Sequence, residues 1–570
     1  MYILSNSFHR TRPSRPPPST IKLPSMHHPP TKKCHLSDYG SGTQLWRPSQ
    51  ESHGHSRITV SPPTRNQAKV LLIPQSTYST TFKTVVETLV YNRVKYKASI
   101  SGKNLPDLTK AAKPGLGKYG AIFFEDFHSY LEMDPWNREL LDKYCKTYNA
   151  GIIAVVPPTT EDGFDFVSST LHDIVLKRQL PLKINTVHTV EDLSVTPSAS
   201  MLHLTRGGRM LPGVIDQDEV EWVSFATEAN ESLYEPVVTA KDNGKQVNIV
   251  MQDLGSADGI PKVLFGGNVN HWINRLLFLD ALSWVSKGRI AVPLTRYILV
   301  DIDDVFVGKN RFLPEDVNAL IESQDRLQEF VPGFKYNLGF SGGYFHHSEI
   351  PEELAGDDAI IRNKDKFWWF PHMWKHWQAH EHDNVSALVK EMELNKKFAQ
   401  AMGINSEFKY SVAPHHSGVY PVHEQLYDAW KRVWDIEVTS TEEYPHLRPA
   451  RLRRGFVHRG MKVLPRQTCG LFTKNLFYEA YPGGPEVLEK SINGGELFQT
   501  IVNNRVSIFM THMPNYGHDR LAPYTFESVI QMIKCWTNLD LRTRNPQSLA
   551  DIYFEMFPDE KVAIWGVSIC

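Results

Sequence analysis

Three clusters of residues in this sequence could act chemically as one set. The first is Asp301-Ile-Asp303-Asp304, where three acids in four positions close the run Tyr297-Ile-Leu-Val. Carboxylates at the mouth of a buried strand are costly to desolvate unless paired or metal-bound. In open α/β sheets and barrels, ligands bind at the carboxyl ends of strands. A single acid there would more simply cap the following loop; three together point to a site. The second cluster is Phe370-Pro-His372-Met-Trp-Lys-His376, with His380 one turn further. Histidines at i and i+4 lie on one helical face and can chelate one ion. The surrounding Trp368, Trp369, Trp374 and Trp377 favour partial burial over a solvated pair. Met373 stands where a HExxH metalloprotease carries its glutamate, which excludes that class. Asp304 with His372 and His376 meets the ligand count of a catalytic zinc site, two imidazoles and a carboxylate with one position open for water. The third cluster, Ser507-Ile-Phe-Met-Thr-His512, ends an apolar strand in a histidine that on its own would be read as structural.

The elements that must position these residues follow from periodicity. Residues 1–65 are rich in Pro, Ser, His and Thr, with runs such as Arg12-Pro-Ser-Arg-Pro-Pro-Pro-Ser, and carry too little apolar surface to offset ordering entropy; disorder is expected. From Ala68-Lys-Val-Leu-Leu-Ile-Pro onward, strand-like runs alternate with helix-length polar segments. This predicts an N-terminal βαβ-type domain over 66–290 with a largely parallel sheet. Neither a dinucleotide glycine fingerprint nor a phosphate loop is present in it. A second α/β domain is expected over 291–560, followed by a short tail over 561–570 without a clear element. At 570 residues the chain is too long for one ordinary core.

Composition narrows the function classes. A hydrophobic fraction of 41% and a charged fraction of 22% are those of a soluble globular protein. A net charge of -1 gives no bias toward nucleic acid or anionic membrane, so an anionic partner would have to be recognised by local patches. The five cysteines form no CxxC pair and no zinc-ribbon pattern. Sequons stand at Asn230 and Asn384. No stretch approaches the roughly 20 apolar residues of a spanning helix, and no signal-peptide core is visible.

The order strand-Asp-Asp, His-x-x-x-His, late strand-His resembles the polysaccharide deacetylases. Longer strings resemble heparan sulfate N-deacetylase/N-sulfotransferase in particular. They are Tyr297-Ile-Leu-Val-Asp-Ile-Asp-Asp-Val-Phe-Val-Gly-Lys, Phe367-Trp-Trp-Phe-Pro-His-Met-Trp, Ala413-Pro-His-His-Ser-Gly-Val-Tyr-Pro-Val-His, Leu464-Pro-Arg-Gln-Thr-Cys-Gly-Leu-Phe and Trp136-Asn-Arg-Glu-Leu-Leu-Asp-Lys-Tyr-Cys. The resemblance implies a distorted (β/α) barrel-like catalytic domain and zinc on Asp304, His372 and His376. It also implies Asp303 as general base, His512 as general acid, a heparan sulfate or heparosan substrate, and the Golgi lumen. His415, His416 and Tyr420 are candidates for sugar subsites. Arg451 and Arg454 in the basic run Arg448-Pro-Ala-Arg451-Leu-Arg453-Arg454 are candidates for contacts with glucuronate carboxylates.

Family members begin with a membrane anchor and continue into a sulfotransferase domain, and this chain shows neither; deacetylation without sulfation is the expectation. Two rival readings remain. Asp301-x-Asp303-x-Val305 also fits the strand-end motif of haloacid-dehalogenase-type phosphatases, with Asp301 as nucleophile and Mg²⁺ as metal. The other is a polysaccharide-binding or regulatory protein without catalysis.

Overall fold

The computed structural model describes residues 35–36, 65–102, 104–113, 115–158, 182–215, 222–227, 234–255, 258–442 and 454–562. Most of the segment 1–65, the basic stretch 443–453 and the tail 563–570 therefore lie outside the described residues.

The first domain is built on one sheet. Its parallel half comprises β1 (Lys69–Ile73), β2 (Lys95–Ala98), β3 (Ala121–Phe124) and β4 (Gly151–Val155). Helix α1 (Thr80–Tyr91), capped by Ser79, and helix α2 (Pro135–Tyr148), capped by Asp134, connect these strands. The runs Val70–Ile73, Ala121–Phe124 and Gly151–Val155 are buried throughout, as expected for strands covered on both faces.

The other half corrects the expectation of a largely parallel sheet. Strands β5 (Glu191–Val195), β6 (Arg209–Val214), β7 (Tyr234–Asp242) and β8 (Lys245–Asp253) run antiparallel in the order β6-β5-β7-β8. β8 then joins β9 (Lys262–Phe265), which lies parallel to β4. The β7–β8 hairpin turns at Asn243-Gly244, both at positive φ (48° and 78°), the pair that a tight hairpin turn selects. Helix α3 (Trp272–Val285) packs the two domains together. Its Trp272 meets Phe498 at 5.5 Å and Trp536 at 4.9 Å, and its buried Asp280 accepts the backbone N–H groups of His203, Leu204 and Thr205.

The second domain is a distorted barrel of parallel strands. One sheet has the order β12 (Trp368–Pro371), β11 (Asn337–Phe340), β10 (Thr295–Val305), β17 (Val506–His512), β16 (Gln467–Thr468). A second holds β13 (Tyr410–Ser411), β14 (Val438–Thr441) and β15 (Met461–Pro465), also mutually parallel. The two meet where β15 passes through Arg466 into β16. Leu299, Phe370, Tyr410, Val438, Leu464 and Ile508 fill one core between them. All of these strands deliver their carboxyl ends to one mouth.

Candidate active site and metal centre

β10 stays buried from Ile298 to Asp303, and its last residues set up the site. β10 lies between β17 and β11, with Asp303 opposite His512 and Asp301 opposite Asn337 in register. At Asp304 the backbone enters the left-handed region (φ 64°), a conformation that costs most residues energy and that aspartate tolerates better than most.

The two histidines follow β12, but not on a helix as their spacing predicted. Residues 372–378 form a loop in which Met373 (φ 61°) and His376 (φ 56°) are left-handed, a pattern no α-helix allows. The loop is tied down by Gly343 N–H donating to the Trp374 carbonyl and by Lys375 N–H donating to Glu391. It folds back so that the imidazoles of His372 and His376 lie 5.1 Å apart. Asp304 Oδ1 sits 2.8 Å from His376 Nε2 and 3.4 Å from His372 Nε2.

Asp304, His372 and His376 form the group among the described residues that could hold a metal ion, their ligand atoms within 4.8 Å of one another. The donor set fits. His372 Nδ1 lies 2.8 Å from the Val412 carbonyl, which can only accept, so Nδ1 carries a hydrogen and Nε2 is the atom that the neutral ring would offer to a metal. Two imidazole nitrogens and one carboxylate suit zinc-like ions and not Mg²⁺, which prefers oxygen ligands. Burial opposes a charge on Asp304, yet the hydrogen bonds and charge of the two histidines hold its carboxyl well below the usual range. Burial lowers the His372 pKa, and its bond to Asp304 and the charge of Asp303 outweigh that and raise it.

Asp303 belongs to a separate network. Arg466, fully buried at the end of β15, donates from Nη1 to Asp303 Oδ2 (2.8 Å) and from Nη2 to Asp303 Oδ1 (2.7 Å). The same Nη2 lies 3.0 Å from Asp301 Oδ2. Burial pushes the Asp303 pKa up, but the guanidinium overcomes this and brings it to about 2. Asp301 is completely buried and also accepts from Asn337 Nδ2 (2.8 Å) and Tyr410 OH (2.6 Å). Enclosed in this way, it cannot reach a phosphoryl group, which removes the phosphatase reading. His512 stands at the end of β17; its backbone N–H donates to Asn515 Oδ1, and its buried Nδ1 has no hydrogen-bond partner among the described residues. Burial lowers its pKa.

The outer candidates separate. His415 is exposed, its ring 5.0 Å from His376, at the rim of the mouth. His416 is buried, with Nε2 3.3 Å from Glu442 and 3.2 Å from Met510 Sδ, so it supports the wall and cannot line a sugar subsite. Tyr420 packs on Phe456 within an apolar cluster. Arg454 donates to the Val90 carbonyl and pairs with Glu560 at 3.6 Å, which ties the barrel to α1 and leaves it out of the site. Arg451 lies outside the described residues.

Arg466, Asn337 and Tyr410 join the site in addition to the residues expected from the sequence. The signal for Arg466 was a lone cation closing the apolar run Val463-Leu-Pro, the counterpart of the acids closing β10.

A family model described as heparan sulfate-N-deacetylase, deacetylase domain, matches residues 295–498, and its N-terminal-domain counterpart matches residues 66–285. The bifunctional heparan sulfate N-deacetylase/N-sulfotransferase of Drosophila melanogaster is 48% identical over 555 residues, 95% of this chain and 51% of the relative. The Homo sapiens bifunctional heparan sulfate N-deacetylase/N-sulfotransferase 1 is 46% identical over 527 residues, 89% of this chain and 58% of the relative. The chain thus spans about half the length of the curated relatives it matches. Among solved structures, the carbohydrate deacetylase Agd3 shares the fold with a TM-score of 0.64 at 12% identity, covering 86% of this chain and 88% of that one.

Proposed function

Because this chain belongs to the heparan sulfate N-deacetylase family, we propose that it hydrolyses the acetamide of N-acetylglucosamine units in a heparan sulfate precursor polysaccharide, releasing acetate and leaving a free amine. The observation that carries this reading is the convergence of Asp304, His372 and His376 at the barrel mouth where Asp303 and His512 also end their strands. The proposed metal is Zn²⁺, which when bound supplies Lewis acidity that acidifies water and polarises a carbonyl.

The protein's own groups supply the proton transfers. Asp303 accepts the proton of the attacking water, and Arg466 fixes both of its oxygens so that one lone pair of each remains directed elsewhere. With a pKa near 2, Asp303 holds that proton only briefly. The water oxygen bonds to the acyl carbon, the C–N bond breaks, and His512 donates a proton to the departing nitrogen. Acetate release from N-acetylheparosan should be abolished by a chelator and reduced about 10²–10⁴-fold in Asp303→Asn, the range for one general acid–base group. Chelator-insensitive release, or full activity in that variant, would overturn the mechanism.

The acid role of His512 sets a pH dependence. Its pKa lies below the ordinary 6.5, and the donor form is lost as pH rises through that value. kcat/KM should therefore fall on the alkaline side, and His512→Gln should flatten that limb while lowering the plateau. An alkaline limb unchanged in His512→Gln would assign the acid elsewhere.

We also place the protein in the Golgi lumen. Cys535 is disulfide-bonded, which suits an oxidising compartment, and the sequon asparagine Asn384 is exposed. A mobility shift on N-glycosidase treatment, reduced in Asn384→Gln and absent when Asn230 is replaced by Gln as well, tests entry into the secretory route. Among the described residues no helix is long and apolar enough to cross a membrane.

A further inference from the structure

A cavity away from the barrel mouth lies in the first domain, at the carboxyl ends of β1, β2 and β3. The sheet order β2-β1-β3-β4 reverses direction between β1 and β3. In open parallel sheets the loops leaving such a switch point splay apart, and ligands bind in the crevice they leave. The cavity here has a volume of about 430 Å³ and is lined by segments following all three strands. That size falls within the roughly 300–1,000 Å³ of small-molecule sites.

The lining specifies the chemistry. Gln75, after β1, donates both amide hydrogens, to Asp126 Oδ2 (2.9 Å) and Ser129 Oγ (2.7 Å), which fixes the side chain and leaves its carbonyl oxygen as an acceptor. Ser99 and Ser101, after β2, add hydroxyls that donate or accept, and Met133 adds an apolar face. The charged residues of the described lining, Glu132 and Asp134, are both acidic; Lys103 lies outside the described residues. Asp134 caps α2, its carboxylate accepting from Asn137 N–H at 3.0 Å. A phosphate or sulfate would seek that same helix terminus, and the protein's own carboxylate already occupies it.

We infer that this cavity binds an uncharged pyranose sugar, its hydroxyls meeting Gln75 and the serines and its C–H face resting on the apolar side. The inference is independent of the catalytic reading, since it uses none of the residues at the barrel mouth.

Saturation-transfer NMR on the full chain tests it, with glucose, N-acetylglucosamine, glucuronate and inorganic phosphate as probes. Glucose, which lacks an acetamide, should receive saturation, as should N-acetylglucosamine, whereas glucuronate and phosphate should not. Ser101→Trp, which fills the cavity, should abolish the glucose signal and leave acetate release unchanged. Gln75→Ala trims one exposed side chain and should weaken glucose binding about fivefold, the loss of one hydrogen bond; it carries the test if the tryptophan variant is unstable. Both sugar signals should persist in Asp304→Asn. Absence of transfer to glucose, transfer that survives both cavity variants, or equal binding of glucuronate or phosphate would overturn the inference.

Discussion

Replacing Arg466 with methionine is expected to cost about 3–5 kcal/mol of folding stability, the range for breaking a buried ion pair from one side, and to reduce acetate release about 10²–10⁴-fold. The guanidinium is fully buried and serves two carboxylates, bidentate to Asp303 and through one nitrogen to Asp301. Methionine fills similar volume but leaves both acids in a low-dielectric interior, where burial and their mutual repulsion push each pKa upward.

The pH dependence separates this account from simple mispacking. In the native protein the Asp303 pKa of about 2 lies below its unfolded value near 3.8. Its contribution to stability is therefore present above about pH 4 and is lost as pH falls toward 2. In Arg466→Met the shift reverses, so protonation relieves the folded state and the stability gap to the native protein should narrow from pH 7 to pH 5. Arg466→Lys keeps the charge but not the fork, and should recover part of the stability while activity stays low. Denaturant titrations at several pH values supply the measurement; a gap independent of pH between 7 and 5 would refute the electrostatic assignment.

How much of this was legible in the sequence depended on the range of the interaction. Ile298–Val300 is apolar without alternation and is followed by three acids in four positions, so both the buried strand and its charged mouth could be read locally. The His372–His376 spacing correctly paired two residues for the wrong reason. An interval of four is compatible with a helical face and equally with a tight loop, and only the left-handed backbone at Met373 and His376 distinguishes them. The Arg466 clamp joins residues 163 positions apart and depends on how the strands close into a barrel, which no window of sequence contains. The antiparallel half of the first sheet is a different case. Asn243-Gly244 between two β-rich runs is a local hairpin signal that the sequence contains, whereas the expectation of a parallel sheet rested on the βαβ alternation earlier in the chain alone.

The site also predicts that activity and stability can be separated at a single position. Asp304→Asn should lower acetate release about 10³-fold or more, since losing a charged ligand removes several kcal/mol of metal-assisted stabilisation. Folding stability should change by no more than about 1 kcal/mol, because asparagine suits the left-handed backbone at φ 64° at least as well as aspartate. The amide keeps an oxygen within reach of His376 but cannot hold two imidazoles through one negative charge, as Asp304 does at 2.8 and 3.4 Å. Asp304→Ala discriminates further. It removes the same ligand but places a residue with a Cβ and no polar side chain in the left-handed region, which costs roughly 1–2 kcal/mol more. Metal content after dialysis should fall in both variants, while the melting temperature should fall mainly in Asp304→Ala. Aspartate in this conformation is thus a compromise: the backbone geometry that turns its carboxylate toward the histidines would be cheaper with asparagine or glycine, and only the need for a charged oxygen at that point favours the residue found there. Equal melting temperatures in the two variants, or metal retained by Asp304→Asn, would show that this balance is wrong.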